Sequence, residues 1–179
     1  MIETARLCLC HLADRHREPF AEMHSDAEVM EDLGGPIDRT EAGAKFDRYL
    51  VALATHGVAR WAVENTNGVF LGYCGVMPRM DADHPLGPHF EVGWRFRREA
   101  WGNGYAHESA IAALKHAQVS LGLASIVSYT GEANLRSQSV MRKLGLIRDP
   151  SKDFTLELSP EAWRGLVWVV PADIQGAAP

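Results

Sequence analysis

Seven short segments of the chain alternate between apolar and polar residues or run apolar throughout, and both patterns are typical of β-strands. The clearest alternation is FEVGWRF, which puts Glu91, Gly93 and Arg95 on one side of a strand. The run Asn65-Thr66-Asn67-Gly68 favours a hairpin between two of the segments, because Asn and Gly accept positive φ. The predicted strands cover residues 6–12, 59–64, 69–76, 90–96, 125–130, 154–158 and 166–170.

Between these strands, apolar residues recur every three or four positions, which is the period of an α-helix. Two short helices are predicted after Pro19 and Asp26, and Gly34-Gly35-Pro36 ends the second. Longer helices are predicted over residues 40–57, 104–120 and 134–144. This order of elements predicts a mixed α/β sheet whose fourth strand leads through a glycine-bearing loop into a helix.

Composition and charge narrow the class of protein. A chain of 179 residues fits one domain, so we expect a single domain over 1–179 with a flexible tail at 175–179. The net charge of −5 and the lack of a Lys/Arg block argue against nucleic acid as a partner. No run approaches the roughly 20 apolar residues of a membrane span, and the start lacks a signal-peptide pattern. We therefore expect a soluble, cytoplasmic protein with no membrane partner.

The cysteines and histidines show no spacing typical of a metal site. Cys8, Cys10 and Cys74 cannot all pair within the chain, and none belongs to a CxxC motif. We interpret them as free thiols, with Cys8 and Cys10 on one face of the first strand. No metal is expected.

The loop after the fourth strand reads Trp101-Gly102-Asn103-Gly104-Tyr105-Ala106 and opens the long helix. Two glycines let the backbone approach a ligand closely, and the free N–H groups of the first helical turn attract phosphate. A plain helix-capping turn explains the same residues. The dinucleotide fingerprint GxGxxG fails because His107 takes the third glycine position, and no GK[ST] of a Walker loop is present.

Longer stretches of the sequence resemble the GCN5-related N-acetyltransferase (GNAT) superfamily. The stretches are TARLCLCHL, WAVENTNGVFLGYCGV, FEVGWRFRREAWGNGYAHES and LGLASIVSYTGEANLRSQSVMRKLGL. Within that superfamily they are similar to the RimJ/RimL-like branch of ribosomal-protein alanine acetyltransferases. The resemblance implies about seven strands with helices on both faces, and a gap where strands four and five splay apart. It also implies acetyl-CoA as cosubstrate.

Binding residues for coenzyme A follow from the same resemblance. The loop amides would wrap the pyrophosphate, and the pantetheine arm would pair with strand four like an added strand. Asn134 matches the family asparagine that reaches the pantetheine or acetyl end, and Ser137 matches a serine close to the thioester sulfur. The implied cofactor-binding residues are Trp94, Phe96, Arg97, Trp101, Gly102, Asn103, Gly104, Tyr105, Ala106, Asn134 and Ser137.

Three positions depart from the family pattern. Glu99 stands where Gln or Arg is common at the head of the pyrophosphate loop, and Leu146 replaces a usual phenylalanine. Met141 occupies the position of a tyrosine that donates a proton in many members. The thiolate of coenzyme A therefore needs another donor.

The predicted catalytic residues are Glu91, Ser137 and Asn134. Glu91, at the matching family position, would accept the amine proton directly or through a water, because only the free amine attacks a thioester. Its alternative is a strand glutamate paired with Arg95. Ser137 would protonate the thiolate, unless it only bonds to backbone in a first helical turn. Asn134 has a simple N-cap as its alternative.

The predicted function is acetyl transfer from acetyl-CoA to an amine, either a protein N-terminus or a small molecule, by direct attack in a ternary complex. A noncatalytic acyl-CoA-binding sensor is the alternative, since the tyrosine is missing at Met141. A nucleotide-binding oxidoreductase is a more distant one. The resemblance allows a homodimer. Acidic residues that would form a rim attracting the amine are Glu31, Asp32, Asp81 and Asp83.

Overall fold

A computed structural model describes residues 1–157 and 162–172 of the chain. Within those residues, nine strands form one mixed sheet in the order β1-β2-β3-β4-β5-β6-β9-β7, with β8 paired to β9. The strands are β1 (Ile2–Glu3), β2 (Leu7–Cys10), β3 (Arg60–Asn65), β4 (Phe70–Arg79), β5 (His89–Phe96), β6 (Ile126–Gly131), β7 (Ile147–Arg148), β8 (Phe154–Glu157) and β9 (Ala162–Val169). The helices are α1 (Arg17–Ser25), α2 (Ala27–Met30), α3 (Arg39–His56), α4 (Tyr105–Lys115) and α5 (Leu135–Lys143).

The predicted mixed α/β class is confirmed, and the seven predicted strands correspond to seven of the nine. The two that were missed, β1 and β7, have two residues each, too short for an alternating pattern to be visible. Leu158, predicted as the end of β8, and the tail 175–179 lie outside the described residues.

Strand β4 extends three residues beyond its predicted end at Val76. The prediction stopped because Pro78 cannot donate a ladder hydrogen bond. Strand β3 begins opposite Gly75, so residues 76–79 of β4 pair only with β5 and form a local sheet edge. Proline is tolerated at such an edge. The extension places Arg79 opposite His89, on the face that carries Glu91.

Several helix boundaries differ from their predicted positions: α1 begins at Arg17, before Pro19, α2 ends at Met30, before the predicted glycine stop, and α3 and α4 differ as follows. Helix α3 begins after Asp38 instead of Thr40, because Asp38 accepts from the Glu41 amide at 2.8 Å and Glu41 accepts in return from the Asp38 amide at 3.1 Å. Helix α4 ends at Lys115, and a π-helical turn, His116–Ser120, takes the place of its predicted last turn.

Alternate residues of the central strands pack into two apolar clusters, one on each face of the sheet. Helices α1 to α3 cover the face of Ala62 and Tyr73, where Phe20 and Phe46 are fully buried. Helices α4 and α5 cover the opposite face with Cys74. On β5 the predicted alternation holds, so Glu91 shares the α3 face with Gly93 and Arg95. No helix in the described ranges is both long and apolar enough to cross a bilayer.

Candidate functional site

The sheet opens between β5 and β6, its only parallel neighbours within the described ranges. These strands pair at two positions, Phe90 with Ile126 and Glu91 with Val127, after which β5 continues to Phe96 without a β6 partner. The Ser128 hydroxyl donates to the Val92 carbonyl at 2.8 Å across the start of the gap. The predicted splay of strands four and five is therefore present. Backbone groups beyond Val92 face an open edge inside the sheet.

The loop from β5 to α4 is held by its own side chains. Trp101 Nε1 donates to the Phe96 carbonyl at 2.9 Å, and Asn103 Nδ2 donates to the carbonyls of Ala100 at 3.2 Å and Trp101 at 3.0 Å. Gly102 and Gly104 have φ values of +77° and +78°, in the left-handed region that other residues rarely adopt. The first amides of α4 consequently point away from the helix, where they can bind an anion.

A cavity of about 350 Å³, which we call the groove, lies along this loop and the gap. Nine of the eleven predicted cofactor-binding residues line it, while Arg97 and Asn103 lie outside its lining. Arg97 instead forms an ion pair with Glu22 at 3.5 Å, and Asn103 serves the loop itself. Predicted residues along the groove are Trp94, Phe96, Trp101, Gly102, Gly104, Tyr105, Ala106, Asn134 and Ser137.

Four basic residues along the groove, Arg95 among them, were not predicted to bind the cofactor. His107 and Lys143 lie near the N-terminus of α4, and Arg136 stacks over the Trp101 ring with 4.0 Å between its guanidinium carbon and the ring centroid. Arg136 also pairs with Glu31. The sequence could have indicated two of these residues, because Arg136 and Lys143 lie on the same helix, α5, that Asn134 caps.

Asp32 connects the groove to the rest of the site. Its carboxylate accepts from Arg95 Nη1 at 2.9 Å and from Asn134 Nδ2 at 2.6 Å. Asn134 Oδ1 in turn accepts from the Ser137 amide at 3.0 Å, so Asn134 is the N-cap of α5. Asp32 was predicted to form part of an exposed acidic rim, but it is half-buried and neutralised by Arg95.

The Ser137 hydroxyl makes no hydrogen bond with any residue in the described ranges, so the backbone-bonded alternative is wrong. Ser137 lines the groove and also a second, larger cavity of about 1110 Å³ over the face covered by α3. We call this the larger cavity. The residues shared by the two linings are Asp32, Trp94, Arg95 and Ser137. Two ligands, one in each cavity, would therefore contact each other beside Ser137.

Glu91 lies on the floor of the larger cavity, bound to two arginines. Arg60 and Arg79 each place an Nη2 nitrogen 2.7 Å from its Oε2, and Arg79 Nε donates to the same oxygen at 2.9 Å. The predicted alternative partner, Arg95, is wrong, because Arg95 pairs with Asp32. Burial alone would raise the pKa of Glu91, but the two guanidinium groups outweigh burial and lower that pKa from 4.5 to about 2.

Arg60 reaches Glu91 by crossing the sheet above glycines. In the sheet register Arg60 lies opposite Gly75, which lies opposite Gly93. Arg60 Nη1 donates to the carbonyl of Gly75 and, at 2.9 Å, to that of Glu91. A Cβ atom on Gly93 would lie 2.6 Å from Glu91 Oε1 and 2.7 Å from Arg60 Nη2. Gly93 is thus required by the close passage of this ion pair.

Comparison with known proteins gives the family. The acetyltransferase (GNAT) domain matches residues 6–147 of the chain. The chain belongs to the GNAT acetyltransferase family. It is 33% identical over 152 residues to the FsC-acetyl coenzyme A-N(2)-transacetylase of Aspergillus fumigatus, a match that covers 81% of this chain and 64% of that relative. This GNAT chain therefore spans less than two thirds of that relative's length.

Solved GNAT structures share its architecture. An acetyltransferase from Agrobacterium tumefaciens is 26% identical with a TM-score of 0.77, and the match covers 94% of this chain and 92% of that one. A spermidine N-acetyltransferase from Vibrio cholerae, solved with CoA and spermine, is 13% identical with a TM-score of 0.73, covering 93% and 96%. At the second identity the likeness concerns the fold alone. The predicted GNAT fold is confirmed.

This GNAT chain also holds a cluster of Cys10, His16 and Glu64 whose side-chain ligand atoms lie within 4.8 Å of one another. The Ala13 amide donates to His16 Nδ1 at 3.0 Å, so the ring proton sits on Nε2, which donates to Glu64 Oε1 at 2.8 Å. A metal on Nε2 would force a proton onto Nδ1, against the Ala13 amide. Arg15 already neutralises Glu64 at 3.1 Å. The cluster is a polar anchor between β2, β3 and the 3₁₀ turn before α1.

Aromatic side chains form another wall of the larger cavity. His84 lies 5.8 Å from Tyr129 and 4.7 Å from His89 between ring centroids, and burial, with the neighbouring His89, lowers the pKa of His84. Trp163 also lines the cavity, although only Trp94 and Trp101 were predicted as walls of the site. Met141, in place of the family tyrosine, is buried and carries no dissociable proton.

Proposed function

We propose that this chain is an N-acetyltransferase that binds acetyl-CoA in the groove and acetylates an amine held in the larger cavity. The observation that carries the proposal is the meeting of the two cavities at Ser137 and Trp94, beside the open edge of β5. The loop amides and the positive end of α4 would bind the pyrophosphate, and the free edge of β5 would pair with the pantetheine arm. Attack would occur directly in a ternary complex.

Positive charge in the larger cavity supports attack by a free amine. Arg60, Arg79 and Arg95 all border the space where the amine would lie. Nearby cations disfavour an ammonium ion, so the pKa of a bound amine falls and more of it is present as the free base. Glu91, with a pKa of about 2, is a weak proton acceptor near neutrality. We assign it the role of holding the arginines and a water through which the proton leaves.

A thiol-release assay tests this function. We expect release of CoA from acetyl-CoA that depends on an added amine, measured across a panel of peptides and small amines. Calorimetry should show that acetyl-CoA binds much more tightly than NAD or ATP, since the loop lacks both of their fingerprints. Acetyl-CoA binding without turnover on any amine would favour the sensor instead. Equal binding of NAD would remove the proposal.

The RimJ/RimL-like branch, a cytoplasmic location and a single domain over 1–179 belong to the same proposal. They are supported by the sequence stretches around Glu91, Asn134 and Ser137. Protein N-termini, as well as small amines, are the acceptors consistent with that branch.

Ser137→Ala is expected to lower kcat about 10- to 100-fold, because a positioned proton donor contributes about 10² to 10⁴ and water replaces part of it. The hydroxyl has no hydrogen-bond partner in the described part of the chain and is the nearest candidate to protonate the thiolate, given Met141. Acetyl-CoA affinity should change little. Steady-state kinetics together with calorimetry separate these two quantities.

Ser139→Ala is the matched control for Ser137→Ala. Ser139 lies on the same helix and lines the groove, but it does not border the larger cavity. We expect wild-type kcat from this variant. Equal kcat values for the two alanine variants and the wild type would make Ser137 a structural residue only.

A further inference from the structure

The larger cavity carries an excess of positive charge in an otherwise acidic protein. Five cationic side chains and four acidic ones border it, while the whole chain has a net charge of −5. One of the acidic residues, Asp47, is bound to Arg17 outside the lining at 2.6 Å. Of the four residues of the predicted acidic rim, Asp32 and Asp81 border the larger cavity, and Glu31 and Asp83 do not. The cationic side chains are Lys45, Arg48, Arg60, Arg79 and Arg95.

Lys45 and Arg48 differ from the three sheet arginines because neither has an acidic partner among the described residues. They lie three positions apart on α3, so they sit one above the other on the same helix face, and both line the larger cavity. Like charges at this spacing repel one another. An anion between them would remove that repulsion. Lys45 is half-buried, so its interaction with an anion is less screened than on an open surface.

The positive charge of Lys45 acts on two buried groups, His24 and Tyr73. Burial lowers the pKa of His24 to about 3, and Lys45 and Arg95 add to that decrease. Burial would raise the pKa of Tyr73, but Lys45 and Arg95 contribute to a net decrease there. The same two cations act on both groups, and Arg95 borders both cavities. Lys45 itself borders the larger cavity but not the groove.

Arg60 and Arg95 add two further guanidinium groups to the lining of the larger cavity. The Nε atoms of both are buried without a hydrogen-bond partner in the described ranges. Both arginines border the larger cavity, and the side chain of Arg60 is only 3% exposed. A cationic acceptor such as a polyamine would add positive charge to this space, where the neighbouring cations disfavour it.

We propose that the acceptor is an amine that also carries a carboxylate, with the carboxylate bound between Lys45 and Arg48 and the amine beside Ser137. The proposal rests on the acetyl-transfer function above and narrows its acceptor. Charge-assisted hydrogen bonds to a carboxylate favour such a compound over its neutral analogue. The positive surroundings also favour the free-base form of its amine.

The test compares straight-chain ω-amino acids of increasing length with their primary amides, using acetyl-CoA and the wild-type chain. The longer pairs have nearly equal amine pKa values, so the comparison isolates the carboxylate. We expect kcat/KM to be about 10- to 100-fold higher for at least one amino acid than for its amide, mainly through KM. Lys45→Met and Arg48→Met should each reduce that ratio, and the double variant should bring it close to one.

Lys115→Met is the matched control, because Lys115 is exposed at the end of α4 and borders neither cavity. It should retain the wild-type ratio. A C-terminally amidated peptide and spermidine provide two further arms, and we expect both to be poor acceptors. If kcat/KM for either compound exceeds that for every ω-amino acid, the proposal is overturned. The acceptor would then be a protein N-terminus or a polyamine.

Failure of this inference is distinguishable from failure of the proposed function. If acids and amides are acetylated equally, the acetyl-transfer function still holds, but the proposal that the acceptor carries a carboxylate is overturned. If no amine is acetylated, calorimetry of the amino acids against the CoA-bound protein still decides the matter. Preferential binding of the acids, lost in the Lys45 and Arg48 double variant, supports the site, and no preference overturns it.

Discussion

Replacing Glu91 by Gln is expected to lower the free energy of unfolding by about 3 to 5 kcal/mol, because removing one partner of a buried ion pair leaves a buried charge uncompensated. Here the charge left behind includes Arg60, whose side chain is 3% exposed and lies beneath the larger cavity. Chemical denaturation followed by tryptophan fluorescence measures the loss. For a chain of this size the melting temperature should fall by roughly 6 to 20 °C.

Glu157→Gln is the control for Glu91→Gln, since it makes the same chemical change at an exposed strand position. It should change stability by no more than about 0.5 kcal/mol. The pH dependence gives a second readout. The pKa of Glu91 falls from 4.5 to about 2 on folding, so its contribution is complete above pH 4.5 and is lost as pH falls toward 2. The variant should lack this part of the acid-induced loss, and identical acid profiles would contradict the assignment.

Any Glu91→Gln protein that remains folded can be assayed for turnover. Glu91 in the wild type stays ionised far below neutrality, so a rise in kcat between pH 6 and pH 9, a range spanning an α-amino pKa of about 8, reports deprotonation of the amine. If Glu91 holds the water that takes the proton, the variant loses kcat, keeps acetyl-CoA affinity and recovers as pH rises. Parallel profiles would leave Glu91 with a structural role.

Gly104→Val is expected to weaken acetyl-CoA binding at least about 100-fold. Gly104 caps α4 with φ +78°, a conformation that costs a non-glycine residue roughly 1 to 2 kcal/mol, and a β-branched side chain would stand beside the amides that we propose bind phosphate. The nearest atom to an added Cβ is Arg6 Nη2 at 3.6 Å, so the protein itself has room for it. Calorimetry with acetyl-CoA measures the loss.

Gly68→Val provides the same backbone strain away from the groove. Gly68 has φ +75° in the hairpin between β3 and β4, and an added Cβ meets nothing within 4 Å. Both variants should lose similar stability, but Gly68→Val should bind acetyl-CoA as the wild type does. If Gly104→Val is folded and binds normally, the phosphate site lies elsewhere.

The fold and the groove could be predicted from local patterns. Alternation in FEVGWRF indicates which side of β5 carries Glu91. Two glycines before a helix indicate the loop, and this signal does not depend on distant parts of the chain. Both signals lie within a few residues of each other. The family resemblance implied Arg97 as a cofactor-binding residue, yet its side chain lies outside the groove lining and pairs with Glu22. The position of a residue in the sequence does not indicate where a long side chain such as that of Arg97 points.

The charge pairing of Glu91 could not be predicted, because it depends on the order of strands. Arg60 lies 31 positions away and Arg79 12 positions away in the chain. Arg79 follows Pro78, a residue typical of a strand end, so the sequence did not predict that β4 reaches it. The strand continues because β3 begins opposite Gly75 and leaves residues 76–79 at an edge. The contacts of Asp32 could not be predicted either, because Arg95 and Asn134 are distant from it in the sequence and only the fold brings them together.

The ion pair above Gly93 constrains how this scaffold can acquire new acceptors. Any side chain at position 93 would displace Glu91 or Arg60, so a substitution at this point of the cavity floor would disrupt the ion pair. Helix α3 forms the opposite wall of the larger cavity. Several of its lining residues are not bound to the Glu91–Arg60 ion pair, and they include Arg48, Val51 and Thr55. Laboratory evolution toward a different amine should therefore accumulate its first productive substitutions on α3 and leave the floor of the sheet unchanged.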